Sequence, residues 1–172
     1  MKRLLSIIAI TLVAATLFVG CENLSFLPTG LIEPQPVRHN YEHYGFSFEV
    51  IGDVTENEGN KYGYAELSTD VGQFLFMKQD MPSNSTLHNA HQIALKCATE
   101  LEQVDEISVR ILRNGASFFV SDPVTLEDGT NIMRAYCFLQ YGESVWVIVC
   151  GAPVDNFNQP LIIEAFVSAE FY

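Results

Sequence analysis

Residues 133–150 constrain the fold more than any other stretch of this chain. Two apolar-rich runs, 133–141 and 144–150, are separated by Gly142-Glu143 alone. Glycine at the first central position suits a two-residue type II′ turn, whose twist matches that of paired antiparallel strands. The second run is apolar at every position from Val145 to Val149, a pattern that predicts a strand buried on both faces. A domain built around such a strand needs a covering layer on each side.

Other segments can supply those layers. Phe46, Phe48 and Val50 alternate with Ser47 and Glu49, the period-two signature of a half-buried strand. Strand-like runs follow at 62–68 and 73–78 across the turn Thr69-Asp70-Val71-Gly72, and Asp80-Met81-Pro82 breaks the pattern. A helix is expected next, capped by Ser83 or Ser85, with Leu87, Ala90, Ala94, Cys97, Leu101 and Val104 forming one apolar stripe. Strands resume at 107–112 and 116–120 around Arg113-Asn114-Gly115, and Asp128-Gly129 marks another turn. Near the end, Asn158 can cap a short helix with Pro160 in its first turn, which puts Leu161, Ile162, Ala165 and Phe166 on one face. The expected class is α+β: an α/β/α sandwich over residues 41–172, with a mostly antiparallel sheet of about six or seven strands and two main helices.

The front of the chain follows different rules. Lys2 and Arg3 precede an apolar run from 4 to 20 diluted only by Ser6, Thr11 and Thr16. The run falls slightly short of the roughly 20 residues that span a bilayer, and its cationic start suits a secretory signal. Leu17-Phe18-Val19-Gly20-Cys21 resembles the lipobox of bacterial lipoprotein precursors. That resemblance implies a signal peptide over residues 1–20 and lipid on Cys21. It places the domain outside the cytoplasm, anchored to the cell membrane or outer membrane. Residues 21–40 carry Pro28, Gly30, Pro34 and Pro36 and read as a tether, whose nineteen residues after Cys21 would span about 24 Å as flexible coil. Leu24, Phe26, Leu27, Leu31 and Ile32 make it apolar enough to dock on lipid or on the domain.

The net charge is −12; without residues 1–20, seven basic residues face 21 acidic ones, a net charge of −14. Such a surface repels phosphate backbones, which excludes nucleic acid as the expected partner, and resists anionic lipid. A membrane is then reached through the lipid on Cys21, and the further partner expected is an envelope protein.

Tyr44-Gly45-Phe46-Ser47-Phe48-Glu49-Val50, the strand–helix–strand order, the hairpin at Gly142 and the closing helix near Ser168-Ala169-Glu170-Phe171 together resemble the Mog1/PsbP-like superfamily over about residues 41–172. Ile51-Gly52 departs from it, standing where many relatives have a proline-containing turn and a tryptophan. The resemblance implies a binding or assembly module, usually without enzymatic activity.

Reactive side chains are scattered. His88 and His91 form an HxxH, and His39 and His43 an HxxxH, but zinc needs a third and usually a fourth ligand. His88 lies off the helical stripe and His91 at its edge, so no metal site is expected. Cys97, Cys137 and Cys150 form no CxxC, and Cys97 falls on the core stripe. With a two-residue turn, Cys137 faces Ile148 and Cys150 faces Ala135, leaving the thiols diagonal at about 7–8 Å, beyond usual disulfide reach. A four-residue loop over 142–145 would instead oppose Cys137 and Cys150 directly and permit a disulfide; the type II′ fit favours free thiols. No G-x-S-x-G elbow and no G-x-G-x-x-G phosphate loop occurs, so no cofactor is expected. Asp53, Glu56 and Glu58, like Glu127 and Asp128, lack calcium-loop spacing and read as solvated turn charges. Tyr44, Tyr62, Tyr64, Phe74 and Phe76 suit either a carbohydrate or peptide platform or sheet core. The function expected is a non-catalytic envelope lipoprotein that binds a protein. The alternative is an envelope ligand-binding or hydrolytic domain with an acidic or aromatic cleft.

Overall fold

A computed structural model of the chain describes residues 35–57, 65–80, 89–102 and 104–172. In chain order the strands are β1 (Val37–Tyr41), β2 (Phe46–Val50), β3 (Val54–Glu56), β4 (Ala65–Thr69), β5 (Gly72–Asp80), β6 (Arg110–Ile111), β7 (Ser117–Val120), β8 (Val124–Thr125), β9 (Asn131–Tyr141), β10 (Ser144–Pro153) and β11 (Glu170–Phe171). Two α-helices, α1 (Ala90–Lys96) and α2 (Gln159–Ser168), accompany them, with a π-helical turn at Cys97–Leu101 and 3₁₀ turns at Glu106–Ser108 and Val154–Asn156.

The apolar run becomes β10, the middle of an eight-stranded sheet in the order β3-β4-β5-β10-β9-β7-β6, with β8 also paired to β9. Every pairing in it is antiparallel. Ser144 pairs with Tyr141, so Gly142 and Glu143 are the whole connection, and Gly142 takes φ +58°. Alternation along β10 divides its side chains between two cores. Val145, Val147 and Val149 join Leu75, Met77, Phe119 and Phe138 beneath α1. Trp146, Ile148 and Cys150 join Phe74, Phe76 and Phe118 on the other side, under β2 and α2.

That second covering layer differs from the expected one. It is a mixture: α2 packs beside a separate three-stranded sheet, β1-β2-β11. The half-buried strand at 46–50 therefore crosses the large sheet as part of a layer of its own. It buries Phe46, Phe48 and Val50 against Phe74 and Phe76. Strand β1 also takes in residues 37–40, which composition assigns to the tether. Pairing from Val37↔Val50 to Tyr41↔Phe46 gives their backbone groups partners that a coil would leave to water.

Two further boundaries move. Helix α1 is capped by Asn89, whose side chain accepts the Gln92 N–H at 2.9 Å; Ser83 and Ser85, the caps expected from sequence, lie outside the described residues. After Lys96 the helix widens into a π-helical turn, Cys97–Leu101, closed by Glu102 N–H donating to the Cys97 carbonyl at 3.2 Å. The strand expected over 107–112 shrinks to two residues, because Glu106–Ser108 forms a 3₁₀ turn and leaves Ile107 90% exposed. The closing helix keeps its predicted punctuation: the Asn158 side chain accepts the Leu161 N–H, and Pro160 lies in the first turn. At the β4–β5 corner the chain passes so close to β10 that a Cβ on Gly72 would lie 2.7 Å from the Gly151 carbonyl oxygen.

Candidate functional site

The turn between β1 and β2 gathers side chains that are dispersed in sequence. His43 Nε2 lies 3.4 Å from Glu56 Oε1 on β3, and the His43 and Tyr44 rings are 4.0 Å apart. Burial and then a hydrogen bond to Glu56 raise the Tyr44 hydroxyl above its ordinary range. Tyr41, more deeply placed, is pushed up to about 12, by burial first and by the Glu56 charge second. His39 does not join this cluster. Its Nε2 is buried without a hydrogen-bond partner, and its ring lies 6.2 Å from that of Phe48. The HxxxH pair thus divides between a packed and an exposed imidazole. Among the described residues no three His, Cys, Asp or Glu side chains converge as a metal site would require. His88, Glu58, Tyr62 and Tyr64 lie outside the described residues, as does Cys21.

On α1, His91 Nδ1 sits 2.9 Å from Ser117 Oγ. Ser117 is 1% exposed, so this contact joins the helix to the sheet and does not offer a nucleophile to solvent. Phe74 and Phe76 are core residues; they form no surface platform. Asp128 is a turn carboxylate that accepts the Thr130 N–H at 2.9 Å, and this bond holds it below its ordinary range.

Cys137 faces Ile148 and Cys150 faces Ala135, and all three described cysteines are buried free thiols. Burial pushes Cys97 up to about 12, with the Glu102 charge adding to it; burial also raises Cys137 and Cys150. The reactive species is the thiolate, so iodoacetamide at pH 8 should leave all three unmodified in the folded domain and alkylate them after unfolding. The raised values also fix a sign. The folded state holds these protons more tightly than the unfolded chain, so the thiol contribution to stability is intact below about pH 9 and declines as pH rises toward 12. Rapid labelling of any of the three in the folded protein would contradict the burial.

A second constellation has half a sequence signal: Arg134 is a charge set within an apolar run, whereas Glu102 stands among Glu100, Gln103 and Asp105 and nothing local marks it. Arg134 Nη2 lies 2.8 Å from Glu102 Oε2, with the two side chains 9% and 5% exposed. Tyr136 donates to the other carboxylate oxygen at 2.7 Å, and burial raises its hydroxyl well above the ordinary range. The Arg134 guanidinium sits 5.9 Å from the centre of the Tyr136 ring. The π-helical turn places Glu102 at this point; such turns recur at functional positions. Here the result is a set of mutual contacts that ties the π-helical turn after α1 to β9, with Arg134 Nε left buried without a hydrogen-bond partner.

Two features face outward. β7 and β8 both pair with β9 on the side away from β10, and β6 extends the sheet beyond β7. Along this rim Ile107 is 90%, Ile111 58% and Val124 38% exposed. The other feature is a cleft of about 140 Å³ between the end of β2 and α2. Its walls include Val50, Ile51, Val71, Leu161 and Ala165, and Pro36 borders it. Arg113 and Glu164, paired at 2.7 Å, stand on its lip.

No family model matches the chain, and no curated protein matches it. Among solved structures, a crystal structure from Bacteroides thetaiotaomicron is similar with a TM-score of 0.49 and 17% identity, over 74% of this chain. The chain spans 45% of that protein's length. The solution structure of cyanobacterial PsbP (CyanoP) from Synechocystis sp. PCC 6803 is similar with a TM-score of 0.44 and 12% identity, over 86% of this chain and 98% of that one.

Proposed function

We propose that the chain is a lipid-anchored, non-catalytic module of the cell envelope that binds a protein partner along the β6–β8 rim. The observation that carries this reading is the exposure of Ile111 on the edge strand β6, with Ile107 exposed in the 3₁₀ turn just before it. A sheet edge presents unpaired N–H and C=O groups that an extended segment of another chain can pair with, and neighbouring apolar side chains add burial to that pairing. Asp105 and Glu106 flank the rim within a chain of net charge −12, which favours a basic partner and makes the association salt-sensitive. A lipid on Cys21 would serve this binding, because tethering raises the local concentration of the domain beside membrane partners. The likeness of residues 44–50 to Mog1/PsbP-like openings is consistent with a binding module.

The test places a photo-crosslinking amino acid at Ile111 in the full chain, within native membranes, with Asp155 as the exposed control. A discrete protein adduct should form from Ile111, be absent from Asp155 and weaken as salt is raised. Equal labelling from both positions, or none from Ile111, would refute the rim as the binding surface. His43 and Glu56, joined at 3.4 Å on an exposed surface, favour hydrolysis as the second reading. Turnover of an ester, glycoside, peptide or phosphoester that His43→Ala abolishes would establish that reading instead.

A further inference from the structure

We infer that the cleft between β2 and α2 is the docking site of the chain's own segment Leu31-Ile32. The cleft is apolar where it is deep: Val50 and Val71 are 3% and 6% exposed and, with Ala165, form its buried wall. Its volume of about 140 Å³ is close to the roughly 150 Å³ of an apolar cavity that admits benzene, enough for one branched aliphatic side chain.

The position of Pro36 selects the occupant. It borders the cleft, so the preceding chain enters the domain at the cleft mouth. Ile32 is four residues upstream, and a fully extended chain covers at most about 14 Å in that distance. Leu31-Ile32 is also the nearest pair of large apolar residues preceding Pro36. The intervening Glu33 precedes Pro34, and a residue before proline is biased toward extended backbone, which lowers the ordering cost of docking. Attachment at Pro36 holds the segment at an effective concentration on the order of millimolar, so a contact of one or two side chains suffices for substantial occupancy. The inference stands apart from the rim and from lipidation. If Cys21 carries lipid, docking would leave residues 22–30 as the free spacer, about 15–18 Å as coil.

Disulfide trapping in the full chain tests this. Ile32→Cys is paired with Leu161→Cys at the cleft, or with Tyr141→Cys at the opposite end of the β9–β10 hairpin. Cys21 is replaced by serine in both pairs, while Cys97, Cys137 and Cys150 are buried and remain in place. Mild oxidation should close the Ile32–Leu161 bond within one molecule at least tenfold faster than the Ile32–Tyr141 bond. A second measurement uses Leu161→Asp without added cysteines, its fold checked by thermal melting. Protease cleavage within residues 28–33 should accelerate at least fivefold. Equal trapping rates, a bond formed only between two molecules, or cleavage unaffected by Leu161→Asp would each overturn the assignment; the intermolecular bond would make a second copy the occupant.

Discussion

Glu102→Ala should destabilise the domain by about 3–5 kcal/mol, the usual loss when one partner of a buried ion pair is removed. Domains of this size have roughly 5–15 kcal/mol of total stability, so the variant should approach the folding threshold. The cost has little to do with the attraction itself. Arg134, 9% exposed at its side chain, would remain charged beneath α1, and Tyr136 would lose the acceptor of its 2.7 Å bond. Replacing both members by apolar residues, as in Glu102→Leu with Arg134→Met, removes the stranded charge and should recover most of the loss. Urea denaturation of the three proteins measures this. A loss below about 1 kcal/mol for Glu102→Ala would mean that water reaches the pair, as at surface ion pairs.

Phe46→Ala should cost about 3–5 kcal/mol, the range for large core truncations. Phe46 is fully buried between the two sheets: it stacks on Phe76 at 4.1 Å, meets Trp146 edge-on at 5.8 Å and stacks on Tyr41 at 5.1 Å. Aromatic pairs add about 0.5–1.5 kcal/mol beyond area burial. Phe46→Leu, which keeps much of the volume, should lose less than half as much. The midpoint should fall with the denaturant slope unchanged. If Phe46→Ala is nearly neutral, the three-stranded sheet does not pack on the large sheet as described.

These two sites mark what the sequence disclosed and what it concealed. The β9–β10 hairpin was readable because its turn and its unbroken apolar arm are adjacent in the chain, and the caps of α2 were readable for the same reason. The small sheet was not, since Phe46 pairs with Phe171 and nothing local announces a partner so distant. Ser83, Ser85 and Asn89 are nearly equivalent as caps by residue type, so sequence alone does not single out Asn89 as the cap of α1. Ile107, Val109 and Ile111 alternate like a strand, yet strand propensity depends on burial, and here Ile107 faces solvent. The pairings Glu102–Arg134 and His43–Glu56 each join separate elements, and only the folded chain brings them together.

The anchor is the part of the proposed function that places the domain beside a membrane, and metabolic labelling with a fatty-acid analogue tests it most directly. Full-length chain expressed in a bacterial host should incorporate the label and lose residues 1–20. Cys21→Ser should incorporate none and accumulate as unprocessed precursor. Label retained by Cys21→Ser, or absent from the unaltered chain, would contradict a lipid-anchored module and leave a domain whose binding rim needs no membrane beside it.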